Sequence, residues 1–269
     1  MAAEVISIGS SSSGNSYIIR TGSVNILLDV GLTAKSIIGA LSIYDINPED
    51  IDAVLVTHEH VDHIRSVRAI GRKCCNAVFA ASRGTIENTA NFAYIPNERL
   101  RIVEAGDSFD ICKGDDTVTI RAFSLSHDAA EPLGYSVRGG GHTIAVITDT
   151  GIVTEEIYEA ALEADMLVFE ANHDEDLLMF GEYPYPVKVR IKSDHGHLSN
   201  KYAGEILADL LDNRKSDETL NIMLAHLSFH NNAPFYARST IESILKECGY
   251  ERDVDYTLTI AARDEITTL

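Results

Sequence analysis

The sequence contains no tryptophan, only four cysteines and about half as many basic as acidic side chains. The cysteines form neither a disulfide framework nor the C-x-x-C spacing of a metal site, which favours a reducing compartment. No stretch approaches the ~20 apolar residues of a membrane helix, and the opening MAAEVISIGS lacks the basic and apolar regions of a secretory signal. We therefore expect a cytoplasmic protein that does not contact a membrane.

The shortage of positive charge bears on possible partners. With 22 basic and 41 acidic side chains, the net charge of −19 should repel a polyanion at long range. The aromatic content of 7% also argues against a stacking platform for single strands. Neither observation excludes a phosphodiester substrate, because two divalent ions would return about four positive charges at the site itself.

The chain length and the 45% hydrophobic content suit one large α/β domain or two small ones. We expect a single domain over residues 1–269, because the sequence has no repeat or low-complexity linker. Short apolar runs predict strands at Val5–Ile8, Tyr17–Ile19, Ile26–Leu28, Ala53–Val56, Val78–Ala80, Val118–Phe123, Ile144–Ile147, Met166–Phe169 and Ile222–Leu224. Apolar spacings of three and four predict helices over 33–43, 63–72, 83–93, 154–164, 200–212 and 235–248, with Thr154 and Ser199 as N-caps.

Polar side chains follow several of the predicted strands. They are Asp29, His58, Asp149, Glu170 and His226. Sheets that are covered by helices would bring such strand ends to one edge, where a site can form.

The segment THEHVDHI, residues 57–64, is the densest group of candidate metal ligands. His58 and His60 point the same way on an extended chain and could bind one ion together, whereas Asp62 is free to face a second ion. His63 lies where the chain turns into a helix. Two strand-end histidines, His127 and His226, could complete these two sites, and the strand-end carboxylate Asp149 could bridge them.

HEHVDH resembles the H-x-H-x-D-H signature of the metallo-β-lactamase fold, and the later candidates follow in the order of that family's motifs. The resemblance implies a four-layer αββα sandwich of two mixed sheets flanked by helices, an α/β (α+β) architecture. It implies that His58, His60 and His127 hold one ion, that Asp62, His63 and His226 hold another, and that Asp149 bridges them. Zinc and manganese both suit such ligands, and Asp62 is also expected to act in catalysis. Asp29 is expected to order the motif by hydrogen bonds.

The third position of the signature separates branches of the family. Oxygen-reducing members place Glu there, whereas this chain has His60, with Glu59 expected on the opposite face. Hydrolysis is therefore favoured over redox chemistry.

Phosphodiester cleavage also requires a proton donor for the departing oxygen. HLSN resembles the histidine-centred motif of the tRNA 3′-processing branch, so His197 is expected to be the general acid. Glu170 is expected to take part in catalysis. His195 and Ser199 are expected to contact the substrate, and His173 is expected either to contact it at the leaving group or to hold Glu170.

EANHD, YP-x-x-x-K-x-RI, GHLSN and LAHLS-x-x-NN together resemble the YycJ-type (WalJ) branch, which is described as bacterial 5′-exonucleases of double-stranded DNA. Its Gly/Ser-rich loop resembles GSSSSGNS here, which implies that Ser12 and Asn15 donate to phosphate. A Gly14–Asn15 turn between two strands is the alternative. Lys188, Arg190 and Lys192 alternate with apolar residues, so a strand would project all three to one face as a backbone clamp, or simply as a solvated edge.

The favoured function is a metal-dependent phosphodiesterase, a 5′-exonuclease in which an activated hydroxide attacks phosphorus, with DNA favoured over RNA. A small-molecule cyclic phosphodiesterase, an RNA-processing nuclease and a metal-stabilised binding protein are the alternatives.

Overall fold

The structure is a computed structural model that describes residues 3–216 and 218–269. The chain divides into two compact units, which are treated separately below. The first comprises residues 1–124, 129–142 and 262–268, and the second comprises residues 125–128, 143–261 and 269. The single domain expected from the sequence stays a prediction.

The first unit contains a mixed sheet with the strand order β14-β1-β2-β3-β4-β5-β6. Neighbours from β14 to β3 are antiparallel, whereas β3 to β6 are parallel. The unit also holds the antiparallel strands β7, β8 and β9. The strands are β1 Glu4–Ser11, β2 Gly14–Thr21, β3 Val24–Leu28, β4 Ala53–Leu55, β5 Val78–Ala81, β6 Leu100–Ile102, β7 Ser108–Lys113, β8 Asp116–Ser124, β9 Leu133–Gly139 and β14 Thr267–Thr268.

Short helices bury apolar positions in the core of the first unit. They are α1 Ala34–Ile43, α2 Val61–Ile64, α3 Val67–Lys73 and α4 Arg83–Glu87. Ile37 of α1 and Ile70 of α3 join Leu27 and Val54 of the sheet in one cluster of buried side chains. These helices therefore supply the apolar cover of the sheet, while the loops that follow the strands remain available for polar residues.

The second unit contains four parallel strands in the order β10-β11-β12-β13. They are β10 His142–Ile147, β11 Met166–Glu170, β12 Leu220–Ala225 and β13 Tyr256–Ile260, and the helices are α5 Glu155–Leu162, α6 Glu175–Phe180, α7 Tyr185–Ile191, α8 Asn200–Asn213 and α9 Pro234–Glu247. The long apolar runs of β10 to β12 are buried, as parallel strands require when both faces are covered. Gly204 permits close packing, because a Cβ there would lie 2.8 Å from Ile244 of α9.

Each of the nine expected strands is present, and the expected helices differ in two places. The segment 63–72 is divided between α2 and α3, and 83–93 ends in 3₁₀ turns. Thr154 and Ser199 are confirmed as N-caps, since their hydroxyls accept from Ile157 N and Tyr202 N.

The strand expected around Lys188, Arg190 and Lys192 is wrong, because Tyr185–Ile191 forms α7. Pro184 and Pro186 set the dihedral angles of its first turn, a helix-start signal that outweighs the alternating charges.

Candidate metal and catalytic residues

In the first unit, the HEHVDH residues leave β4 and enter α2. His60 is the N-cap of α2, and Asp62 and His63 lie in its single turn. The ring centroid of His58 lies 4.5 Å from that of His60 and 4.0 Å from that of His63. His58 and His63 are fully buried, whereas Asp62 is half-buried. The four predicted ligands of this motif are therefore gathered in one turn of chain.

Asp29 organises the same motif from the end of β3. One oxygen accepts from Thr57 N at 2.9 Å, and the other accepts from His63 Nδ1 at 2.7 Å. A carboxylate can only accept, so the proton of His63 must sit on Nδ1 and the lone pair on Nε2. This is the carboxylate–histidine arrangement that orients metal-binding imidazoles.

Asn15 lies beside the same imidazole. Its Nδ2 is 3.2 Å from His63 Nε2 and donates to Asp62 Oδ2 at 3.4 Å. The alternative, a Gly14–Asn15 turn between two strands, is wrong in its position, because the turn consists of Ser12 and Ser13 and β2 begins at Gly14. Asn15 is buried and Ser12 is exposed, so the structure groups only Asn15 with the motif.

Sequence reasoning missed Gly31 and Thr57. A Cβ at Gly31 would lie 1.5 Å from Asp62 O, so only glycine permits the approach of α2 to this loop. Thr57 Oγ1 lies within 3.2 Å of His58 Nδ1 and His63 Nδ1 while donating to Asp29. The glycine two residues after the strand-end Asp29 was the available signal for such a close approach.

In the second unit, Glu170 is the centre of the polar network. Its Oε1 accepts from His197 Nδ1 at 2.8 Å and from His226 Nδ1 at 2.9 Å. Its Oε2 accepts from Thr150 N at 3.1 Å and Leu198 N at 3.2 Å. Burial by itself would raise the pKa of Glu170, but His197 and His226 outweigh it and hold the pKa below its ordinary value. With both oxygens engaged, the geometry favours a positioning role, and direct participation in catalysis stays a prediction.

The other strand-end residues of this unit lie close to the Glu170 network. Asp149 Oδ1 is 3.4 Å from His226 Nε2 and 3.8 Å from His127 Nε2. His127 Nδ1 donates to Gly196 O at 3.2 Å, which leaves Nε2 as its ligand atom. Burial is the main cause that lowers the pKa of His127.

Asp149 and His226 share a backbone feature with Asp29. Their φ angles are 63°, 57° and 57°, in the left-handed region that residues other than glycine adopt rarely. Asp45 and Asp253 adopt the same conformation without being candidate site residues, so the backbone angle alone does not mark the site.

These donors suit a divalent metal. Asp149, Glu170, His197 and His226 each offer an atom within 4.8 Å of the others. Imidazoles whose Nδ1 is held by a carboxylate or carbonyl, with a neighbouring aspartate, are the ligand chemistry of zinc and similar ions. The donor sets in both units therefore fit the metal that the sequence predicts.

The remaining substrate-binding candidates, His173, His195 and Ser199, differ in burial and in hydrogen-bond partners. His173 is buried, and burial is the main cause that lowers its pKa to about 4. His195 is exposed, with Nδ1 3.2 Å from Ser126 Oγ. Ser199 caps α8 and donates to Glu175.

The two cations of α7 are already engaged. Lys188 Nζ donates to Met179 O at 2.8 Å and to Gly181 O at 2.7 Å, and Arg190 pairs with Asp128 at 2.5 Å. The buried ammonium of Lys188 gives two of its three donors to these carbonyls, which argues against the expected phosphate clamp, and that clamp stays a prediction.

Comparison with known proteins places this arrangement in a family. Residues 25–216 match the family model described as the β-lactamase superfamily domain. The chain belongs to this superfamily. Exodeoxyribonuclease YycJ of Bacillus anthracis is 35% identical over 243 residues, which cover 90% of this chain and 89% of that protein. Exodeoxyribonuclease WalJ of Streptococcus pneumoniae serotype 2 is 34% identical over 264 residues, which cover 97% of this chain and 95% of that protein.

The superfamily fold is also found among solved structures. The metallo-β-lactamase fold protein YhfI of Bacillus subtilis matches with a TM-score of 0.69 and 17% identity, over 99% of this chain and 100% of that one. The expected α/β fold of two mixed sheets flanked by helices is confirmed. The YycJ-type resemblance and the expectation of a metal-dependent hydrolase are confirmed as well. Among the described residues, no helix has the length and apolar character needed to cross a bilayer.

Proposed function

We propose that this superfamily member is a metal-dependent phosphodiesterase that acts on DNA as a 5′-exonuclease. Support comes from two relatives named exodeoxyribonucleases, each at least 34% identical over at least 90% of the chain. The four cysteines are free thiols, in agreement with the proposed cytoplasmic location.

The order of the superfamily motifs supports two divalent ions, zinc or manganese. On that order, the proposed ligands are His58, His60, Asp62, His63, His127, Asp149 and His226. When bound, such ions lower the pKa of a water molecule and stabilise charge on the reacting phosphate. Asp29 holds His63 for this task, and Glu170 holds His226.

His197 is the proposed general acid, and its bond to Glu170 is the observation that carries the proposal. Because Nδ1–H donates to a fully buried carboxylate, Nε2 is the atom left to face a substrate. Protonation of Nε2 creates an imidazolium beside the ionised Glu170, which stabilises it. The proton then passes from Nε2 to the departing oxygen, while the Nδ1 bond keeps the ring in place.

Asn15, Ser12, His173, His195 and Ser199 remain proposed substrate contacts. Asn15 has the strongest support, because its amide lies beside two proposed ligands, Asp62 and His63.

Two leaving groups test the acid. A DNA alkoxide needs a proton as it departs, whereas p-nitrophenolate does not. We expect His197→Ala to lower kcat/KM on DNA by about 10²–10⁴-fold, with a far smaller loss on a nucleotide p-nitrophenyl diester. His142→Ala, at the start of β10, is the matched histidine control. Equal losses on both diesters would show that His197 is not the proton donor.

A further inference from the structure

The first unit carries a local excess of positive charge directly after the HEHVDH motif. Residues 63–86 contain five basic side chains and no acidic one, although 41 of the 269 residues are acidic. Four of the five lie between positions 65 and 73, on and just before α3.

These four side chains are exposed, and the part of the surface that they occupy is here called the basic face. It consists of Arg65, Arg68, Arg72 and Lys73. Val67 and Ile70 of the same helix are buried, so the cations occupy the solvent side. Arg68 and Arg72 are one turn apart, about 6 Å along the helix axis. Within residues 3–216 and 218–269, none of the four forms an ion pair.

The stability of α3 accounts for Arg72 and Lys73 in part but not for Arg65 and Arg68, because only the first two lie in the last turn, where cations favour the helix dipole. Hydrogen bonds to the carbonyls at the end of α3 do not need these cations, because Arg99 of the 3₁₀ turn Asn97–Arg99 already donates to Gly71 O, Cys74 O and Cys75 O. Like charges at Arg68 and Arg72 repel each other at this spacing. The basic face therefore adds repulsion to the free protein.

One of the arginines is held in place by an aromatic ring. The guanidinium carbon of Arg68 lies 3.8 Å from the ring centroid of Tyr94, which is itself half exposed. Stacking fixes the plane of the guanidinium and leaves its edge donors available, which is the geometry that suits a phosphate.

We propose that the basic face binds the phosphate backbone of duplex DNA. The inference rests on the proposed function and names the surface that the duplex uses. Arg68 follows His63 by five positions, so their Cα atoms are at most roughly 18 Å apart. A duplex presents one phosphate charge per ~1.7 Å of axis, so several cations of the face can meet phosphates together. The net charge of the chain is −19, which should repel DNA at long range. The basic face is a local positive surface that can attract the phosphates.

Salt dependence of the Michaelis constant is the test. The probe is a 5′-phosphorylated duplex cleaved by metal-loaded protein at several salt concentrations. Each lost phosphate contact should reduce the slope of log KM against log salt by about 0.9. If the contact contributes nothing at 1 M salt, its loss raises KM about eightfold at 0.1 M salt. We expect Arg68→Gln to raise KM by about that factor. The triple variant Arg65→Gln/Arg68→Gln/Arg72→Gln should reduce the slope by about 2.7.

Lys73→Gln and Lys35→Gln form a matched pair, since Lys35 is an exposed lysine on α1. The first should shift KM and the second should not. Melting temperatures check the fold of every variant, and the single variants replace the triple one if it is unstable. Wild-type KM and salt slope in the Arg variants would overturn the inference while the proposed function stands. If the wild-type protein cuts neither the duplex nor a p-nitrophenyl diester, both fail.

Discussion

Replacing Glu170 with glutamine changes one atom at the centre of the second unit's network. Four donors converge on this carboxylate, two imidazoles on Oε1 and two backbone amides on Oε2. A glutamine offers one oxygen and one NH₂ group, so two of the four donors must face an amide nitrogen. Backbone N–H groups cannot become acceptors, but an imidazole can change tautomer. We therefore expect the NH₂ group to face His197 and His226.

The tautomer change has a calculable consequence. Once Nδ1 accepts, the proton of His226 moves to Nε2 and must be displaced before that nitrogen can bind metal. Losing such a carboxylate–histidine partner typically lowers metal affinity by ~10–100-fold, about 1.4–2.7 kcal/mol. Stability should fall only modestly, by about 1–3 kcal/mol, because all four donors and acceptors remain paired. The acid function of His197 fails with the same change, because the imidazolium loses its carboxylate.

Three measurements on Glu170→Gln follow from this reasoning. They are metal affinity by competition with a chelator, imidazole tautomers by ¹⁵N NMR, and the free energy of unfolding. Glu175→Gln is the matched control, because Glu175 is exposed and, among the residues that the structure describes, its carboxylate accepts one hydrogen bond, from Ser199. Unchanged tautomers and wild-type metal affinity in Glu170→Gln would refute the account, whatever the stability.

Three other predictions concern single residues. Gly31→Ala should destabilise the fold by about 3 kcal/mol and weaken metal binding, because its Cβ meets Asp62 O; unfolding and metal titrations check both. Lys188→Met should cost about 1–3 kcal/mol by leaving two carbonyls unpaired, yet keep the wild-type salt slope on DNA; a changed slope would mean that Lys188 contacts DNA. The pKa of His173 is held at about 4 in the folded protein, below its ordinary value of about 6.5. The free energy of unfolding should therefore fall as pH falls from about 6.5 to 4, because the unfolded chain binds the extra proton first. In metal-free protein, His173→Leu should remove about 3 kcal/mol of this pH dependence.

The elements that the sequence predicted best are those with the simplest apolar pattern. Buried strands such as Ile144–Ile147 and Met166–Phe169 read as uninterrupted apolar runs, and the structure contains both. Five strands of the described residues were missed, namely β6, β7, β9, β13 and β14. Exposed or small residues interrupt β7 and β9, as at Gly134. For α7, alternating charges resembled a strand, whereas Pro184 and Pro186 favoured a helix start.

The candidate site shows a similar division between pattern and geometry. Four candidate ligands lie within the six residues of HEHVDH, so composition and spacing were enough to find them. Spacing could not reveal that Glu170 joins His197 to His226, because those contacts span 27 and 56 positions. Nor could it show that Lys188 is spent on two carbonyls.

The most direct measurement offers metal-loaded protein a 5′-phosphorylated duplex, a single strand, RNA and a small cyclic phosphate side by side. The account predicts that the duplex is shortened from its 5′ end, that a chelator stops the reaction, and that zinc or manganese restores it. Faster cleavage of the cyclic phosphate than of the duplex, or cleavage that survives removal of the metal, would contradict it.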